Sequence, residues 1–287
     1  MKKVLGLVIS ERRLGNTEIL LKEIIKNVPD PCSRELIRLT ELTLKSCKGC
    51  YQCLIPGNSC SINDDFLFLR EHIKDADALI IGLPVYFLGP HAYFKLLMDR
   101  LLCAGYFAEH TRGKPCVLVI PFGMRGWEGY ARAAALTLPA LLKMKLIDCW
   151  LVHAALPGES VLNEVNAGYA GQLGANLFNS PAGQWGKLDC PRCGSDLLRF
   201  LPGGLVECPI CSGRGKIVAR DGDLLPDFTL EPSTHRFSEA GLEEHFKGWL
   251  VGMKERFKTQ KDILKKVQQP YKEYDWWVRP PGQKNDK

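Results

Sequence analysis

The chain has 287 residues, 46% of them hydrophobic, and a formal net charge of +6. Length and composition fit about two soluble globular domains and exclude a fibrous or disordered protein. No apolar run is long enough to span a bilayer, and residues 4–9 are too short for a signal peptide before Glu11-Arg12-Arg13 ends them.

Residues 3–9 read as a short buried strand. The polar turn Ser10-Glu11-Arg12-Arg13-Leu14-Gly15-Asn16-Thr17 follows, and a helix starts near Thr17 with Leu20, Leu21, Ile24, Ile25 and Val28 on one side. A strand, a glycine-containing polar turn and a helix start can hold a phosphate, because unpaired backbone N–H groups and the helix dipole face the anion. The same pattern also serves as a plain helix cap. GxxxxGK[ST] and GxGxxG are both absent, which excludes a Walker loop and a dinucleotide fingerprint. Residues 35–39 read as a second strand, and Asp64-Asp65 opens a helix through Phe66, Leu69 and Ile73. Residues 78–82 form a third strand, whose unbroken apolar run predicts burial on both faces. Pro90 is expected in the first turn of a helix carrying Phe94, Leu97 and Leu101. Residues 116–120 and 146–154 read as the fourth and fifth strands. Between them lies a helix with Ala133, Leu136 and Leu141 that Pro139 must kink or split. Residues 162–178 read as a further helix.

Five strands alternating with helices predict an α/β domain with a doubly wound parallel sheet over residues 1–180. Ligands of such sheets bind beyond the strands' carboxyl ends. The turn 10–17, the segment Pro84-Val85-Tyr86-Phe87 and the loop 121–127 with Gly123 gather there. The turn suits a phosphate, and the aromatic, proline-stiffened segment suits a flat ring.

Eight of the twelve cysteines form two tight groups, which favours metal over disulfides and a reducing cytoplasm as the chain's home. Cys47, Cys50, Cys53 and Cys60 are separated by gaps of two, two and six residues. One short loop with three cysteines at two-residue gaps and a fourth just beyond is how a chain wraps an iron–sulfur cube. A redox-labile loop is the plainer alternative. Cys190-Pro-Arg-Cys193 and Cys208-Pro-Ile-Cys211 form two CxxC knuckles instead, the pattern of a tetrahedral four-thiolate ion site over residues 188–219. Zinc is the first choice there and a rubredoxin-like iron the alternative.

Residues 1 to about 180 resemble the flavodoxin-like NAD(P)H-dependent FMN reductases, and particularly their iron–sulfur flavoprotein branch. The resemblance rests on Ser10, Arg12, Gly15, Asn16 and Thr17 in the turn, the four loop cysteines followed by Asp64-Asp65, Pro84-Val85-Tyr86-Phe87, and Asp99-Arg100. It implies FMN, with its phosphate on Ser10, Arg12, Asn16 and Thr17 and its isoalloxazine ring against residues 84–87. It also implies a [4Fe-4S] cluster on Cys47, Cys50, Cys53 and Cys60, and a homo-oligomer with the flavin near a subunit boundary.

Residues 179–187, rich in Gly, Pro, Ser and Asn, read as a linker. Residues 220–287 read as an amphipathic helix and an aromatic tail. The helix stripe comprises Leu242, Phe246, Trp249, Leu250, Met253, Phe257, Leu264 and Val267, and should pack on the flavin domain or a second subunit. Gly248 and Gly252 should permit close approach along it. The tail ends Tyr274-Asp275-Trp276-Trp277. Residues 247–287 hold eleven Lys/Arg against five Asp/Glu, so the first 246 residues are formally neutral. A solvated helix face is the common reason for such a run, so neither a membrane nor a nucleic-acid partner is expected. His91 and His153 stand alone and read as structural. The expectation is a flavin oxidoreductase passing electrons between NAD(P)H or a redox protein, FMN and the cluster to a small or protein acceptor. The alternative is a non-enzymatic scaffold that binds nucleic acid or a protein complex through its ribbon and basic tail.

Overall fold

The computed structural model describes residues 1–55, 57–220, 222–229, 235–274, 276 and 278. At its centre lies a five-stranded parallel sheet of Lys2–Val8, Cys32–Arg38, Ala78–Gly82, Pro115–Phe122 and Lys145–His153, in spatial order 2-1-3-4-5. Side chains alternate across a strand, so each inner strand must supply apolar residues to both faces. Val4, Val8, Ile80, Val117 and Val119 meet helix Asn16–Lys26 and helix Glu164–Ala175 on one face. Leu5, Leu7, Leu79, Ile81 and Leu118 meet helices Phe66–Asp75 and Ala92–Arg100 on the other. The first and third strands are neighbours whose following helices lie on opposite faces. Their carboxyl ends therefore open a crevice at the switch in strand order.

The predicted helices differ from the observed ones at Pro90 and over 162–178 and agree at Pro139, each for a local reason. Pro90 is not in a helix: Val85-Tyr86 pairs with Gly89-Pro90 in a small hairpin, and the helix begins at Ala92. His91 caps it, its Nδ1 accepting from Tyr93 N at 3.3 Å. Burial lowers the His91 pKa, which favours the neutral ring that this bond requires. The helix containing Pro139 is split, as expected, into Ala131–Ala135 and Thr137–Leu141, since proline cannot donate to the carbonyl of Ala135. The helix expected over 162–178 is Glu159–Leu162 and Glu164–Ala175, restarted by Asn163, whose side chain accepts from Val165 N.

Residues 179–187 run along the edge strand rather than away from it. Gly183 N donates to Leu146 O at 2.9 Å, Lys145 Nζ to Ser180 O at 2.9 Å, and Trp185 packs against the main core. Beyond them a four-stranded antiparallel sheet follows, comprising Arg199–Leu201, Leu205–Glu207, Arg214–Arg220 and Asp223–Asp227. Ser238 then caps a helix that runs to Gln268, with a π-helical stretch over Glu244–Leu250. Only the start of its apolar stripe is covered: Leu242 and Leu250 are buried and Phe246 packs on the main core, whereas Trp249, Phe257 and Val267 are exposed. Gly252 has no atom near the position a Cβ would take, and Gly248 faces only Glu244 of its own helix. Neither glycine serves a close approach to another described element. Asp275 and Trp277 of the aromatic tail lie outside the described residues.

Candidate functional site

The turn 10–17 joins the first strand to helix Asn16–Lys26, and five contacts shape it. Arg38, opposite Val8 in the sheet register, sends Nη1 to Ser10 O at 2.7 Å and to Arg12 O at 3.4 Å. Its Nη2 reaches Glu18, which also accepts from Leu14 N at 2.7 Å and Lys22 Nζ at 2.6 Å. Burial pushes the Glu18 carboxyl up, but the hydrogen bonds from Lys22, Leu14 N–H and Arg38 outweigh it and hold the pKa at about 2. Glu18 is therefore a charged fastener inside the turn. Leu14 sits at φ 51, a conformation costly for a branched side chain, which these contacts sustain. The helix start is seated low on the sheet. A Cβ on Gly82 would lie 2.5 Å from Thr17 Cγ2 and 2.6 Å from a Leu21 methyl, so glycine is needed there.

A cleft of about 290 Å³ opens above this turn, lined by Ser10, Arg12, Gly15, Asn16, Thr17, Pro84, Val85, Tyr86, Pro121, Phe122, Gly123, Ala154 and Ala155. Eight of the nine predicted cofactor residues thus meet in one place. The ninth, Phe87, points elsewhere. It is 86% exposed and lines a neighbouring depression with Val85, Phe122, Gly123, Met124 and Trp127. Its ring lies 6.4 Å from that of Trp127, edge to face. Phe87 and Leu88 both take positive φ, 46° and 70°, at the tip of the 85–90 hairpin. Two-residue hairpin turns favour that backbone, but bulky side chains rarely occupy it.

The Asn16 side chain does not face the cleft as a free donor. Its Nδ2 donates to Ala154 O at 3.2 Å and Leu156 O at 2.9 Å, and its Oδ1 accepts from Ser160 N at 3.2 Å. It ties the turn to the loop after the fifth strand, and leaves its backbone N–H at the helix start to face an anion. Ala154, Ala155, Arg38 and Glu18 were missed in the sequence because their roles depend on strand register and on contacts made far along the chain.

An FMN phosphate fits the turn. Helix N–H groups, the Ser10 and Thr17 hydroxyls and Arg12 all border the cleft, and the nearby carboxylate of Glu18 is already neutralised. The wall formed by residues 84–86 and 121–123 is apolar, with a polar rim at Tyr86, as a flat ring requires.

The two cysteine groups differ in geometry. In the ribbon, Cys190 Sγ lies 3.6 Å from Cys211 Sγ, and Cys193 Sγ lies 3.6 Å from Cys208 Sγ. All four sulfurs lie within 4.8 Å of one another. Tetrahedral thiolates at ~2.3 Å from one ion would stand ~3.8 Å apart. Each knuckle turns back on itself through Gly194 N to Cys190 O at 2.8 Å and Ser212 N to Cys208 O at 2.9 Å. The residue after the second cysteine is left-handed in both, Gly194 at φ 73 and Ser212 at φ 61. The ribbon is moored to the main domain by Arg132, which grips Asp189 at 2.7 and 3.3 Å.

Cys47, Cys50, Cys53 and Cys60 form no such close group, since among the described residues only the ribbon cysteines bring three or more ligand atoms within 4.8 Å. Wider spacing is what a cube with one thiolate per iron needs, and a single ion does not fit it. Burial raises the Cys53 pKa, and Cys60, Cys47 and Cys50 add to the rise as neighbouring thiolates. The four sulfurs therefore share one neighbourhood. A cavity of about 220 Å³ beside them is lined by Cys53, Cys60 and Cys103 together with Arg70, Lys74 and His110, cationic or protonatable groups suited to an anionic cluster. This donor set fits an iron–sulfur cluster. The loop leaves the sheet at the flavin edge but folds down over the helical layer. Its cavities and the flavin cleft have no lining residue in common.

A 2-1-3-4-5 parallel sheet with a turn suited to an anion and a ring-sized apolar wall at its switch point defines a flavodoxin-like domain of the flavin-binding class. The sequence profile of the NADPH-dependent FMN reductases matches residues 2–155, and the chain belongs to that family. An iron-sulfur flavoprotein of Methanocaldococcus jannaschii is 39% identical over 99 residues, 34% of this chain and 51% of the relative, so the chain spans about half the length of that relative. A flavone synthase of Aspergillus candidus is 25% identical over 93% of this chain and 95% of its own. A solved structure described as a flavone reductase superposes with a TM-score of 0.76 at 19% identity, covering 97% of this chain and 99% of that one. That likeness shows the shared fold. The family match favours the flavin-binding reading of residues 2–155 over a bare scaffold. Among the described residues, no helix is long and apolar enough to cross a membrane.

Proposed function

We propose that the protein is an NAD(P)H-dependent FMN oxidoreductase that reduces a small, flat aromatic acceptor and also carries a [4Fe-4S] cluster. The observation that carries this reading is the convergence of residues 10–17, 84–86, 121–123 and 154–155 on one cleft at the switch point. Ser10, Arg12, Thr17 and the helix N–H groups hold the phosphate, with Asn16 and Arg38 keeping the turn in shape. Pro84, Val85, Tyr86 and Gly123 bound the ring. FMN there supplies the exchange between hydride uptake and single-electron release. Cys47, Cys50, Cys53 and Cys60 hold the cluster, which supplies one-electron storage. Cys190, Cys193, Cys208 and Cys211 hold a structural zinc, because all four ligands are buried and none is left for chemistry.

The acceptor class follows from the depression beside the cleft. Phe87, Met124, Trp127, Val85 and Phe122 offer aromatic and aliphatic surface and no charge, which favours a flat uncharged molecule over a phosphorylated one. The relative matched over most of the chain is named for flavone, a molecule of that kind. Since the flavin cleft and the cysteine loop are separate within one chain, exchange between them is assigned to neighbouring copies in a homo-oligomer.

The test is anaerobic. The purified chain should bind one FMN, and NADPH or NADH should bleach its absorbance. Trp127→Ala should raise the KM for a flavone or quinone probe by about tenfold, consistent with ~1.4 kcal/mol of lost aromatic contact, and leave flavin reduction unchanged. A protein that binds no flavin, or whose flavin neither nucleotide reduces, would sink this reading.

A further inference from the structure

Arg100 is buried in the helical layer beneath the cysteine loop, with its side chain 1% exposed and that of its partner Asp64 0% exposed. Both terminal nitrogens of its guanidinium are engaged. Nη1 pairs with Asp64 and donates to Lys45 O at 2.8 Å, while Nη2 donates to Asp64 Oδ1 at 3.1 Å and to Cys60 Sγ at 3.4 Å. The guanidinium carbon lies 4.5 Å from the centre of the Phe66 ring. Asp64 is held in turn by Lys45 N at 2.9 Å and Phe66 N at 3.2 Å. Burial pushes the Asp64 carboxyl up, but Arg100 and these two N–H groups outweigh it and keep its pKa low.

The partners' places in the chain matter. Lys45 stands just before Cys47, and Asp64 just after Cys60. Arg100 therefore clamps both ends of the loop and points its remaining donor at one sulfur. A buried Arg–Asp pair alone contributes little net stability, because desolvation offsets the attraction. A permanently charged donor on a cysteine sulfur has a further effect, because hydrogen bonds and positive charge at cluster sulfurs favour the reduced, more negative state.

We propose that Arg100 is a positioning residue for the iron–sulfur site, donating to the Cys60 thiolate and raising the reduction potential of the cluster. The proposal rests on the cluster reading above. Lysine at position 100 keeps the charge for Asp64 but lacks the planar fork that reaches Lys45 O, Asp64 and Cys60 together.

The full chain is purified without oxygen, and iron, sulfide and flavin are measured before any comparison. Wild-type protein without cluster iron would overturn the cluster reading and this proposal with it. Given a cluster, Arg100→Lys should keep its iron and flavin spectrum. Its EPR-monitored midpoint should shift to more negative potential while the flavin midpoint stays in place. A cluster midpoint unmoved with iron retained overturns the role assigned to Arg100 and leaves the cluster reading standing. If Arg100→Lys loses its iron, Asp64→Asn decides. It retains Arg100 and one acceptor, frees the guanidinium from its counter-charge, and should shift the midpoint the opposite way. No shift there also overturns the proposal.

Discussion

The ribbon and the cysteine loop use the same four side chains, yet fold around them in opposite senses. In the ribbon the sulfurs are the centre of the core: Cys190, Cys208 and Cys211 are 0% exposed, Val206 and Phe228 are buried with them, and Leu198, Ile210, Ile217 and Phe237 pack partly buried around them. The loop from Cys47 to Cys60 leaves Cys50 exposed and the other three half-buried, and it rests on the main core, where Cys53 packs against a cluster that includes Phe66 and Leu101. A small segment whose core is built around its ligands would depend on an ion for folding, whereas a loop laid on an existing core would not. Thiolates can thus staple a fold or be carried by one, and burial with sulfur spacing distinguishes the two.

The largest test of that contrast is Cys208→Ser. It should release the ribbon metal and, with it, up to about 10–16 kcal/mol of binding energy that holds the module. Metal analysis should show one ion fewer per chain, and hydrogen exchange should show residues 188–216 open while bound flavin persists. A ribbon still protected after metal loss would break the comparison. Arg132→Ala should act more weakly, by about 1–3 kcal/mol, because it leaves the half-buried Asp189 with only the N–H of Gly186. Faster proteolysis within residues 179–187 with the ribbon ion retained is the expected result; unchanged cleavage would mean the mooring lies elsewhere.

Acid should separate the metal sites from the flavin turn. Protons compete with metal for thiolates, so both cysteine sites weaken on acidification. Glu18 behaves differently. Its folded pKa of about 2 lies below its ordinary 4.5, so its stabilising contribution is complete above about pH 4.5 and disappears as pH falls toward 2. Metal should therefore leave before the turn opens, and Glu18→Gln should flatten the acid limb of a stability–pH curve. An acid limb identical in the variant would remove Glu18 from the account. The smallest effect on stability belongs to Cys50→Ala, about 0.5 kcal/mol or less for an exposed side chain. It should nevertheless lose the cluster and its iron while flavin reduction by NADPH continues. If Cys50→Ala unfolds the chain, the loop is a staple after all.

Much of the architecture was legible because it depends on local pattern. The buried strands at 78–82 and 116–120 are unbroken apolar runs, the turn 10–17 announces a helix start, and the two CxxC pairs state their own chemistry. The elements that shifted did so through contacts a linear reading cannot weigh. Pro90 was drawn from a helix into a hairpin by its pairing with Val85, and Asn16 was turned from the cleft by the carbonyls of Ala154 and Leu156. Residues 179–187 have a linker's composition but find an edge strand to bond with.

By itself the sequence determined the family, the alternation of strands and helices, and which residues could bind a phosphate, a ring or a metal, since periodicity and side-chain chemistry are carried residue by residue. Only the tertiary structure decided that Arg38 and Glu18 shape the turn, that Phe87 lies beside the cleft and not in it, and that Arg100 reaches Cys60. Those facts depend on strand register and helix packing, which bring together groups 20, 28 and 40 positions apart. The periodicity of the chain does not encode which of those distant groups will meet.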